Sequence, residues 1–377
     1  MAAVENPVSD LWEDVFMNVY VVEKEAVIHN IQTILKKAEN TPVWAVLKGD
    51  GYGLGIVPMA ELCWQQGIRR FAVTELREAQ VLREKYRDAH ILMLRPTMDE
   101  QEMEQLLDLE VIATIASTEH AAALGGIASR RDTVAEVHVK VDTGMGRYGF
   151  LPGESQQILD IYRYHDHLAV SGIYTHFHSS FGKAKIVTAQ ADTFGAVVKQ
   201  IHAAGIESGA PHCCNSVGFL RFPELKMGGV RVGSALLGRV LAKKTDLRRV
   251  GYCETTVEQV RWLPAGHTTG YGAAWKAKKP TKIAVIPVGW YHGFTAEHGH
   301  DLSGFKNSLR EILGAIKGMI FRRKIYVNIG GKKCRVLGHV GMLHTVCDVT
   351  KIDCHTGDKA VLDINPTMVR GMEVVYR

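Results

Sequence analysis

The chain has 377 residues, of which 46% are hydrophobic and 23% charged, and this ordinary globular composition excludes disordered and fibrous proteins. Its 45 Lys and Arg residues against 40 Asp and Glu leave a formal net charge of +5 without a basic run, so the sequence predicts no nucleic-acid partner. An acidic N-terminal segment, no long apolar stretch and seven cysteines without a C-x-x-C pair predict no membrane segment and a reducing, cytoplasmic setting.

Short apolar runs rich in β-branched residues recur along the first two thirds of the chain, separated by segments with helical periodicity. They predict eight strands, of which the seventh is weaker, at residues 43–47, 71–74, 91–94, 111–115, 137–141, 170–174, 211–214 and 229–232. Helices are predicted between them, for example at 75–86, 153–165 and 184–204. Eight βα units favour an α/β fold of the (β/α)8 TIM-barrel type, although a doubly wound sheet gives a similar alternation.

The sequence pattern changes from alternating strands and helices to strand-like runs after about residue 253. Strand-like runs broken by Gly, Pro and basic turns follow, namely VEQVRWL, KIAVIPVGWY, KIYVNIGG, CRVLGHVG and KAVLDI, with one plausible helix at 309–316. This pattern predicts a mainly β C-terminal domain. A polar, basic stretch at 242–253 contains the boundary, so we predict a barrel over residues 1–245, whose N-terminal segment could pair with the second domain, and a β-rich domain over 246–377.

A barrel places its chemistry at the C-terminal ends of its strands, so the residues there are the informative ones. The first predicted strand runs directly into Lys48 and a glycine-rich turn that contains Tyr52. A strand-end lysine is usually solvated, but a wholly apolar strand projects its amine into the barrel mouth. Desolvation there lowers the pKa of an amine and suits it to Schiff-base chemistry.

The fifth predicted strand ends in a turn with polar side chains and three glycines, namely Lys140, Asp142, Gly144, Gly146, Arg147 and Gly149. The glycines fit G-x-G-x-x-G after a strand, so a dinucleotide-binding loop is one interpretation. The acidic residue that such a loop requires about twenty positions later, at the end of a second strand, is not evident. The motif therefore favours a tight turn over a dinucleotide site.

The sixth predicted strand is followed by His176 and His178, which would alternate on one face of a strand. An H-x-H pair of this kind occurs in metal-dependent barrel hydrolases. No later set of His and Asp residues at strand ends completes a ligand shell, so the sequence favours an oriented or stacked imidazole and no metal.

The last two predicted strands are followed by small and polar residues that suit a bound phosphate. Asn215 and Ser216 offer side-chain donors at a strand-to-helix turn, and Gly233 with Ser234 offers close approach of the backbone. Arg231, two residues before Gly233 on the last strand, would point into the barrel. Each segment taken alone is more typical of a structural arginine and an ordinary turn than of a phosphate site.

Taken together and in this order, the segments VLKGDGYGLG, KVDTGMGRYGF, YTHF, HCCNSVGFLRFP and VRVGSALLG resemble the alanine racemase family, and GYGAAW, IPVGWYHG and VLGHVGMLHTVCDVT continue the match. The resemblance implies a cytoplasmic pyridoxal 5'-phosphate enzyme with a barrel and a β domain. It also implies a head-to-tail homodimer whose active sites contain residues of both subunits, and a role in supplying D-alanine or D-serine to cell-wall precursors. It favours the barrel over the doubly wound sheet.

Two residues match the catalytic bases of that family. Lys48 resembles the lysine that binds the cofactor covalently and serves one face of the substrate. Tyr271 resembles the tyrosine that serves the opposite face from the partner subunit. Inversion at a carbon requires two such bases, because one removes the α-proton and the other supplies its replacement.

Other residues match the family's binding positions. The resemblance places cofactor contacts at Tyr52, His176, Asn215, Ser216, Arg231, Gly233 and Ser234, with His176 behind the ring and Arg231 at the pyridine nitrogen. It places substrate contacts at Arg147 and Met342, and it matches Lys140 to a lysine that is carbamylated in many members.

Three departures from the family pattern concern the pocket mouth. Trp290 or Tyr291 replaces a tyrosine at the entry, Leu343 replaces an acid, and Asn365 stands about where many members have a tyrosine. Because an asparagine is smaller than the tyrosine it replaces and offers a hydrogen bond, we expect the enzyme to use serine as a substrate beside alanine. The alternatives are a dedicated serine racemase, a non-catalytic pyridoxal phosphate carrier and a metal-dependent barrel hydrolase.

Overall fold

The computed structural model describes residues 18–242, 245–296 and 324–377. Contacts divide the chain into two compact units, one of which is Glu23–Val250 and the other of which combines β1 (Val19–Val22) with Gly251–Arg377. This division falls between Val250 and Gly251, whereas the sequence predicts a boundary after residue 245. The predicted helix at 309–316 lies outside the described residues.

The first unit contains, in its described residues, eight parallel strands: β2 (Val43–Val46), β3 (Arg70–Val73), β4 (His90–Met93), β5 (Ala113–Ile115), β6 (Ala135–Lys140), β7 (Leu168–Tyr174), β8 (Ala210–His212) and β9 (Val230–Val232). They form two four-stranded sheets, ordered β4-β3-β2-β9 and β5-β6-β7-β8. Parallel bridges from Leu92 to Ile112 and from Cys214 to Val230 join the two sheets at both edges. The strands therefore close into a ring, and the predicted (β/α)8 barrel is confirmed.

Helical segments separate the strands in this unit: α1 (Lys24–Ala38), α2 (Lys48–Gly53), α3 (Ile56–Gln65), α4 (Leu76–Lys85), α5 (Glu100–Asp108), α6 (Thr118–Arg130), α7 (Ser155–Tyr164), α8 (Ala184–Ala203) and α9 (Ser216–Arg221). The predicted helices at 75–86, 153–165 and 184–204 are confirmed as α4, α7 and α8, with ends that differ by a residue or two. Within the described part of the chain, no helix is both long and apolar enough to cross a membrane.

Continuous apolar runs form the barrel strands because both faces of each strand are covered. All four residues of β2, VWAV, are buried, as is typical of parallel sheets between helices and a filled interior. Inside the barrel, Trp44 and Val46 pack with Ala72, Leu92 and Ile112. This cluster fills the barrel interior beneath the ends of the strands, where the polar residues described below lie.

The second unit is mainly β in its described residues: besides β1 it contains β10 (Tyr252–Thr256), β11 (Gln259–Leu263), β12 (Thr268–Thr269), β13 (Trp275–Lys276), β14 (Thr281–Ile286), β15 (Tyr326–Ile329), β16 (Lys332–Val336), β17 (Thr345–Asp348), β18 (Lys359–Leu362) and β19 (Glu373–Tyr376). Nine of its strands form one sheet, ordered β11-β14-β17-β16-β15-β18-β10-β1-β19. The predicted β-rich character is confirmed, and β1 lies in the sheet between antiparallel β10 and parallel β19.

Candidate active site

A cavity of about 470 Å³ opens at the C-terminal ends of the barrel strands. It is lined by ten of the residues singled out in the sequence: Lys48, Tyr52, Lys140, Arg147, His176, Asn215, Ser216, Arg231, Gly233 and Ser234. These residues follow or end five different strands, β2, β6, β7, β8 and β9. The barrel therefore brings them together from distant parts of the chain, as its geometry requires.

The turn after β2 is left-handed. All four residues at 49–52 have φ between 51° and 63°, a conformation that glycine adopts freely and that costs about 1–2 kcal/mol for other residues. Asp50 is tolerated there because its carboxylate Oδ1 accepts the backbone N–H of Ile56 at 2.8 Å. The turn directs Lys48, at its start, and Tyr52, at its end, into the same cavity.

Burial acts on the Lys48 amine. It lowers the pKa of Lys48, the nearby Arg147 guanidinium lowers it further, and the Glu78 carboxylate opposes both effects. A lysine whose ammonium form is disfavoured has more neutral amine near pH 7, and only the neutral amine is a nucleophile or a base.

Hydroxyl groups converge on the backbone of Gly233. A Cβ atom built at Gly233 would lie 2.1 Å from Tyr52 Oη, so only glycine lets that hydroxyl rest against the end of β9. Burial raises the pKa of Tyr52 to about 12, which keeps its proton available for donation. Ser216 Oγ accepts the backbone N–H groups of Gly233 at 3.0 Å and of Ala235 at 3.2 Å.

The start of α9 completes this corner. Asn215 caps the helix, since its Oδ1 accepts the N–H of Gly218 at 2.9 Å, and Ser216 is the first helical residue. Ser234 lines the cavity on the opposite segment. Hydroxyl groups gathered beside a glycine at the start of a helix suit a tetrahedral oxyanion, so these residues fit the phosphate of a cofactor.

Arg231 lies buried at the base of the cavity. Its Nη1 donates to His212 Nδ1 at 2.5 Å and to His212 O at 3.0 Å, and its Nη2 donates to Thr175 O at 2.5 Å. His212 Nε2 lies 3.0 Å from His138 Nδ1, so with Nδ1 accepting from Arg231, His212 carries its proton on Nε2 and donates it to His138. Nη2 also donates to Cys213 O at 3.4 Å, so all four terminal N–H groups serve protein acceptors and Nε–H is the guanidinium donor that remains for a ligand.

The turn after β6 is organised around Asp142. Its carboxylate accepts four backbone N–H groups, those of Gly144, Met145, Gly146 and Arg147, at 2.7–3.2 Å. Burial acts to raise the pKa of Asp142, but the four hydrogen bonds outweigh it and the pKa is lowered. Since a carboxylate already occupies the N–H groups that a dinucleotide loop would offer to pyrophosphate, the G-x-G-x-x-G motif here positions Arg147.

Lys140, at the end of β6, is a buried amine among cations. Its Nζ lies 4.3 Å from the centroid of the Tyr174 ring. Burial lowers the pKa of Lys140 to about 7, and the guanidinium groups of Arg231 and Arg147 contribute to that lowering. A large fraction of this amine is therefore neutral near pH 7.

The sequence pattern predicted that His176 and His178 share one face of a strand, and this prediction is wrong. Strand β7 ends at Tyr174, before both histidines. Of the two, His176 lines the cavity, and burial lowers the pKa of its imidazole well below the usual value. His178 is exposed, and its Nδ1 lies 2.6 Å from Ser179 Oγ. Among residues 18–242, 245–296 and 324–377 no three His, Cys, Asp or Glu residues form a metal-binding group.

The sequence analysis did not identify two further residues of the cavity. Tyr174 stacks on His212, with ring centroids 5.0 Å apart, and lies between the cations of Lys140 and Arg231. Arg95, after β4, lines the cavity while its Nη2 lies 2.5 Å from Glu102 Oε1. Tyr174 is the last residue of β7 and Arg95 lies two residues after β4, so position at a strand end is the signal that could have found them.

The ionisable Lys and Arg side chains that line the cavity make it electropositive. Its lining includes five basic side chains, those of Lys48, Arg95, Lys140, Arg147 and Arg231, and in the described residues no Asp or Glu lines it. Such a cavity attracts ligands that carry more than one negative group, for example a phosphate and a carboxylate.

The remaining predicted site residues lie in the second unit. Tyr271 begins a short 3-10 turn, Tyr271–Ala273, and is 81% exposed, and Met342 is 49% exposed. Asn365 precedes the turn Pro366–Met368, and its Oδ1 accepts the N–H of Thr367 at 3.3 Å. Their roles stay predictions.

Comparisons with known proteins give one result. Residues 22–240 match the family model described as "Alanine racemase, N-terminal domain", and residues 250–369 match "Alanine racemase, C-terminal domain". The chain is 32% identical over 340 residues to an alanine racemase of Desulforamulus reducens, covering 88% of this chain and 85% of that protein. It is 31% identical over 316 residues to one of Clostridium tetani, covering 82% and 81%.

Solved structures resemble the fold over almost the whole chain. An alanine racemase of Clostridium difficile 630 gives a TM-score of 0.82 at 22% identity, covering 97% of both chains. An alanine racemase of Bartonella henselae with covalently bound pyridoxal phosphate gives a TM-score of 0.79 at 21% identity, covering 96% of this chain and 99% of that one.

Proposed function

The chain belongs to the alanine racemase family and is an amino-acid racemase, and on this premise we propose that it interconverts L- and D-alanine with pyridoxal 5'-phosphate as cofactor. One observation carries the proposal: the barrel cavity combines the Lys48 amine with an oxyanion corner and four further basic side chains. When bound, pyridoxal phosphate supplies an electron sink that stabilises negative charge at the α-carbon of an amino acid.

We assign the phosphate to the corner formed by Tyr52, Ser216, Gly233 and Ser234. The hydroxyl of Tyr52 is a donor at neutral pH, and Gly233 allows it to lie against the backbone. Asn215 contributes indirectly, because its side chain caps α9 and so fixes the first helical residue, Ser216. Hydrogen bonds from this set would orient the cofactor relative to Lys48.

We assign the pyridine nitrogen of the cofactor to Arg231 and one face of its ring to His176. A guanidinium donates a hydrogen bond but does not give up its proton, so it leaves a ring nitrogen unprotonated and limits the withdrawal of electrons. Thr175 O and His212 hold the guanidinium in place. A limited electron sink keeps the negative charge short-lived and favours return of a proton over side reactions.

Lys48 and the partner subunit's Tyr271 are the two proposed bases. Lys48 Nζ removes or returns the α-proton on one face, and its lowered pKa favours the neutral amine that this requires. Tyr271 Oη acts on the opposite face. The exposure of Tyr271 supports its supply from a second copy, and the working unit is therefore proposed to be a homodimer with shared active sites.

Arg147 is proposed to bind the substrate carboxylate, with a backbone contact from Met342 of the partner subunit. Four hydrogen bonds to Asp142 fix the turn that carries Arg147. Lys140 is proposed to be carbamylated: its neutral amine adds CO2 to give a carbamate and releases one proton. The negative carbamate would then lie beside the Arg147 cation and orient it.

Serine is proposed as a second substrate because of Asn365. The carboxamide accepts a local N–H through Oδ1, which leaves its NH2 group as a donor for a substrate hydroxyl. Replacement Asn365→Tyr should lower the ratio of kcat/KM for serine to that for alanine by about tenfold. An unchanged ratio would contradict the role of Asn365. Any use of serine would then depend on other pocket residues or indicate a dedicated serine racemase.

Isotope exchange tests the proposed function directly. The purified protein, loaded with pyridoxal phosphate, is incubated with a panel of L-amino acids in deuterated water and the products are resolved by chirality and mass. We expect D-alanine that carries deuterium at the α-carbon, and a visible absorbance that borohydride removes.

Other outcomes identify the alternatives. Absorbance without exchange would indicate a pyridoxal phosphate carrier, and activity lost to a chelator would indicate a metal-dependent hydrolase. The match of residues 250–369 to the C-terminal domain of alanine racemases argues against a single-barrel carrier.

A further inference from the structure

One buried charge has no place in the mechanism above. In the described residues, four side chains of Asp, Glu, Lys and Arg are buried, and three of them, Lys140, Asp142 and Arg231, belong to the site. The fourth is Glu78, on α4, with 8% of its surface exposed. Burying a carboxylate is costly unless it is paired or hydrogen-bonded, so its partners indicate what it does.

The Glu78 carboxylate joins two elements. Its Oε2 accepts the backbone N–H groups of Thr74 at 3.0 Å and of Glu75 at 3.1 Å, at the start of its own helix. Its Oε1 accepts the backbone N–H of Asp50 at 3.0 Å, in the left-handed turn that begins with Lys48. A single side chain therefore connects the segment after β3 to the segment after β2.

The left-handed turn needs such a connection. Asp50 and Tyr52 hold positive φ values of 51° and 61°, which a free chain populates rarely. Strained conformations of this kind persist only where the surroundings over-determine them. Asp50 donates its N–H to Glu78, and it accepts the N–H of Ile56 through its carboxylate and the N–H of Gly55 through its carbonyl, so both sides of the turn are held.

We propose that Glu78 is a positioning residue for Lys48: its carboxylate holds the left-handed turn against the start of α4 and so fixes the direction in which the amine enters the cavity. The contact is indirect, through the backbone of Asp50. The expected loss of racemisation rests on the proposed function, whereas the expected change at the Lys48 amine does not.

The carboxylate has a second, electrostatic effect on the amine. Its negative charge favours the ammonium form of Lys48 and partly offsets burial and the Arg147 cation, which both lower the pKa of that lysine. The other charged or titratable groups that line the cavity with Lys48 are Tyr52, Arg95, Lys140, Arg147, Tyr148, Tyr174, His176 and Arg231. All of them are unchanged in the variants below.

The test measures the Lys48 amine without using activity. Apoprotein is treated with trace acetic anhydride across a range of pH, and acetylation of Lys48 is quantified by mass spectrometry. Glu78→Gln keeps one acceptor oxygen and removes the charge, so we expect the midpoint of Lys48 labelling to move to lower pH by about half a unit or more. In holoenzyme the same variant should lower kcat about tenfold, because the amine is displaced from its productive direction.

A matched control separates positioning from helix capping. Asp99 caps α5, where its carboxylate accepts the N–H of Glu102 at 2.8 Å, so Asp99→Asn removes a comparable carboxylate away from the Lys48 turn. We expect wild-type labelling and wild-type kcat in Asp99→Asn. An unchanged midpoint in folded Glu78→Gln, or an equal change in Asp99→Asn, would overturn the proposal.

A second variant covers the case in which Glu78→Gln does not fold. Glu78→Asp retains the charge but is one methylene shorter, so it cannot reach Thr74, Glu75 and Asp50 together. We expect a labelling midpoint near that of the wild type and a kcat lowered by at least about threefold. Wild-type kcat in folded Glu78→Asp would show that reach to the turn is irrelevant. If no variant or wild-type protein racemises amino acids, the labelling result still decides the role of Glu78.

Discussion

The barrel and the β-rich unit carry functional groups of two kinds. In the barrel, partners within the same chain hold the proposed groups: Asp142 fixes the turn that carries the exposed Arg147, and His212 binds the buried Arg231. In the β-rich unit, Tyr271 and Met342 are exposed. The barrel half of the proposed site is preorganised within one chain, whereas the other half is proposed to come from exposed residues of a second copy.

The largest expected effect tests the barrel half. Lys48→Ala removes both the cofactor attachment and one base, and we expect kcat/KM for alanine to fall by about 10⁴-fold or more. The absorbance that borohydride removes should disappear as well. Replacement of an exposed lysine on α8, Lys199→Ala, is the control. A Lys48→Ala enzyme that racemises at the wild-type rate would disprove the mechanism.

The next effect tests the exposed half. Tyr271→Phe removes one hydroxyl, and we expect kcat/KM to fall by about 10³-fold with an unchanged Tm, because the side chain is exposed in the chain itself. Deuterium exchange should be retained on one face only. Tyr326→Phe, another exposed tyrosine of the same unit, should have wild-type activity. If the Tyr271→Phe enzyme still exchanged deuterium on both faces, the proposed role of Tyr271 as the second base would be wrong.

A smaller effect is expected where the barrel backbone itself is the binding surface. Gly233→Ala places a Cβ about where Tyr52 Oη lies, at 2.1 Å, so either the hydroxyl or the turn must move. We expect binding of pyridoxal phosphate, measured by titration of apoprotein, to weaken by about 10- to 100-fold. Gly195→Ala on α8 has open space at its Cβ and should bind normally. Normal binding by Gly233→Ala would place the phosphate elsewhere.

The smallest effect concerns the stability cost of the preorganised half. Burial lowers the pKa of Lys140 to about 7, from the usual value of 10.5 in an unfolded chain, so the unfolded state binds a proton more readily between these values. Wild-type stability therefore falls as pH drops from about 10 to about 7. In CO2-free buffer, Lys140→Met should gain about 2 kcal/mol relative to wild type over that range in urea unfolding. A pH-independent difference would contradict the buried, neutral amine.

Local patterns in the chain were sufficient to predict most of the barrel. Strand β2 is a continuous apolar run because both its faces are buried, and such runs are visible without a structure. Strands β1 and β19 were not predicted as elements, because a short strand is defined by its partners, here β10 for β1 and β1 for the edge strand β19, rather than by its own pattern. The motif residues of the cavity were identified through their position after strands.

Contacts between distant residues decided what the sequence left open. The spacing of His176 and His178 predicts a shared face, but β7 ends before them and the two rings separate. Glu78 has the sequence pattern of an ordinary helix residue, and only the bond to Asp50 shows that it touches the turn of Lys48. Neither result could be read from neighbouring residues.

By itself, the sequence determined the alternation of strands and helices, the β-rich second unit and the residue types available at the strand ends, because periodicity and motif spacing are local properties. Only the tertiary structure decided which of those residues meet and with what chemical character. Closure of the barrel places Gly233 against Tyr52 and surrounds Lys140 with cations, and burial and charge then set the pKa of each group. Those physical quantities depend on neighbours in space, which the order of the chain does not specify.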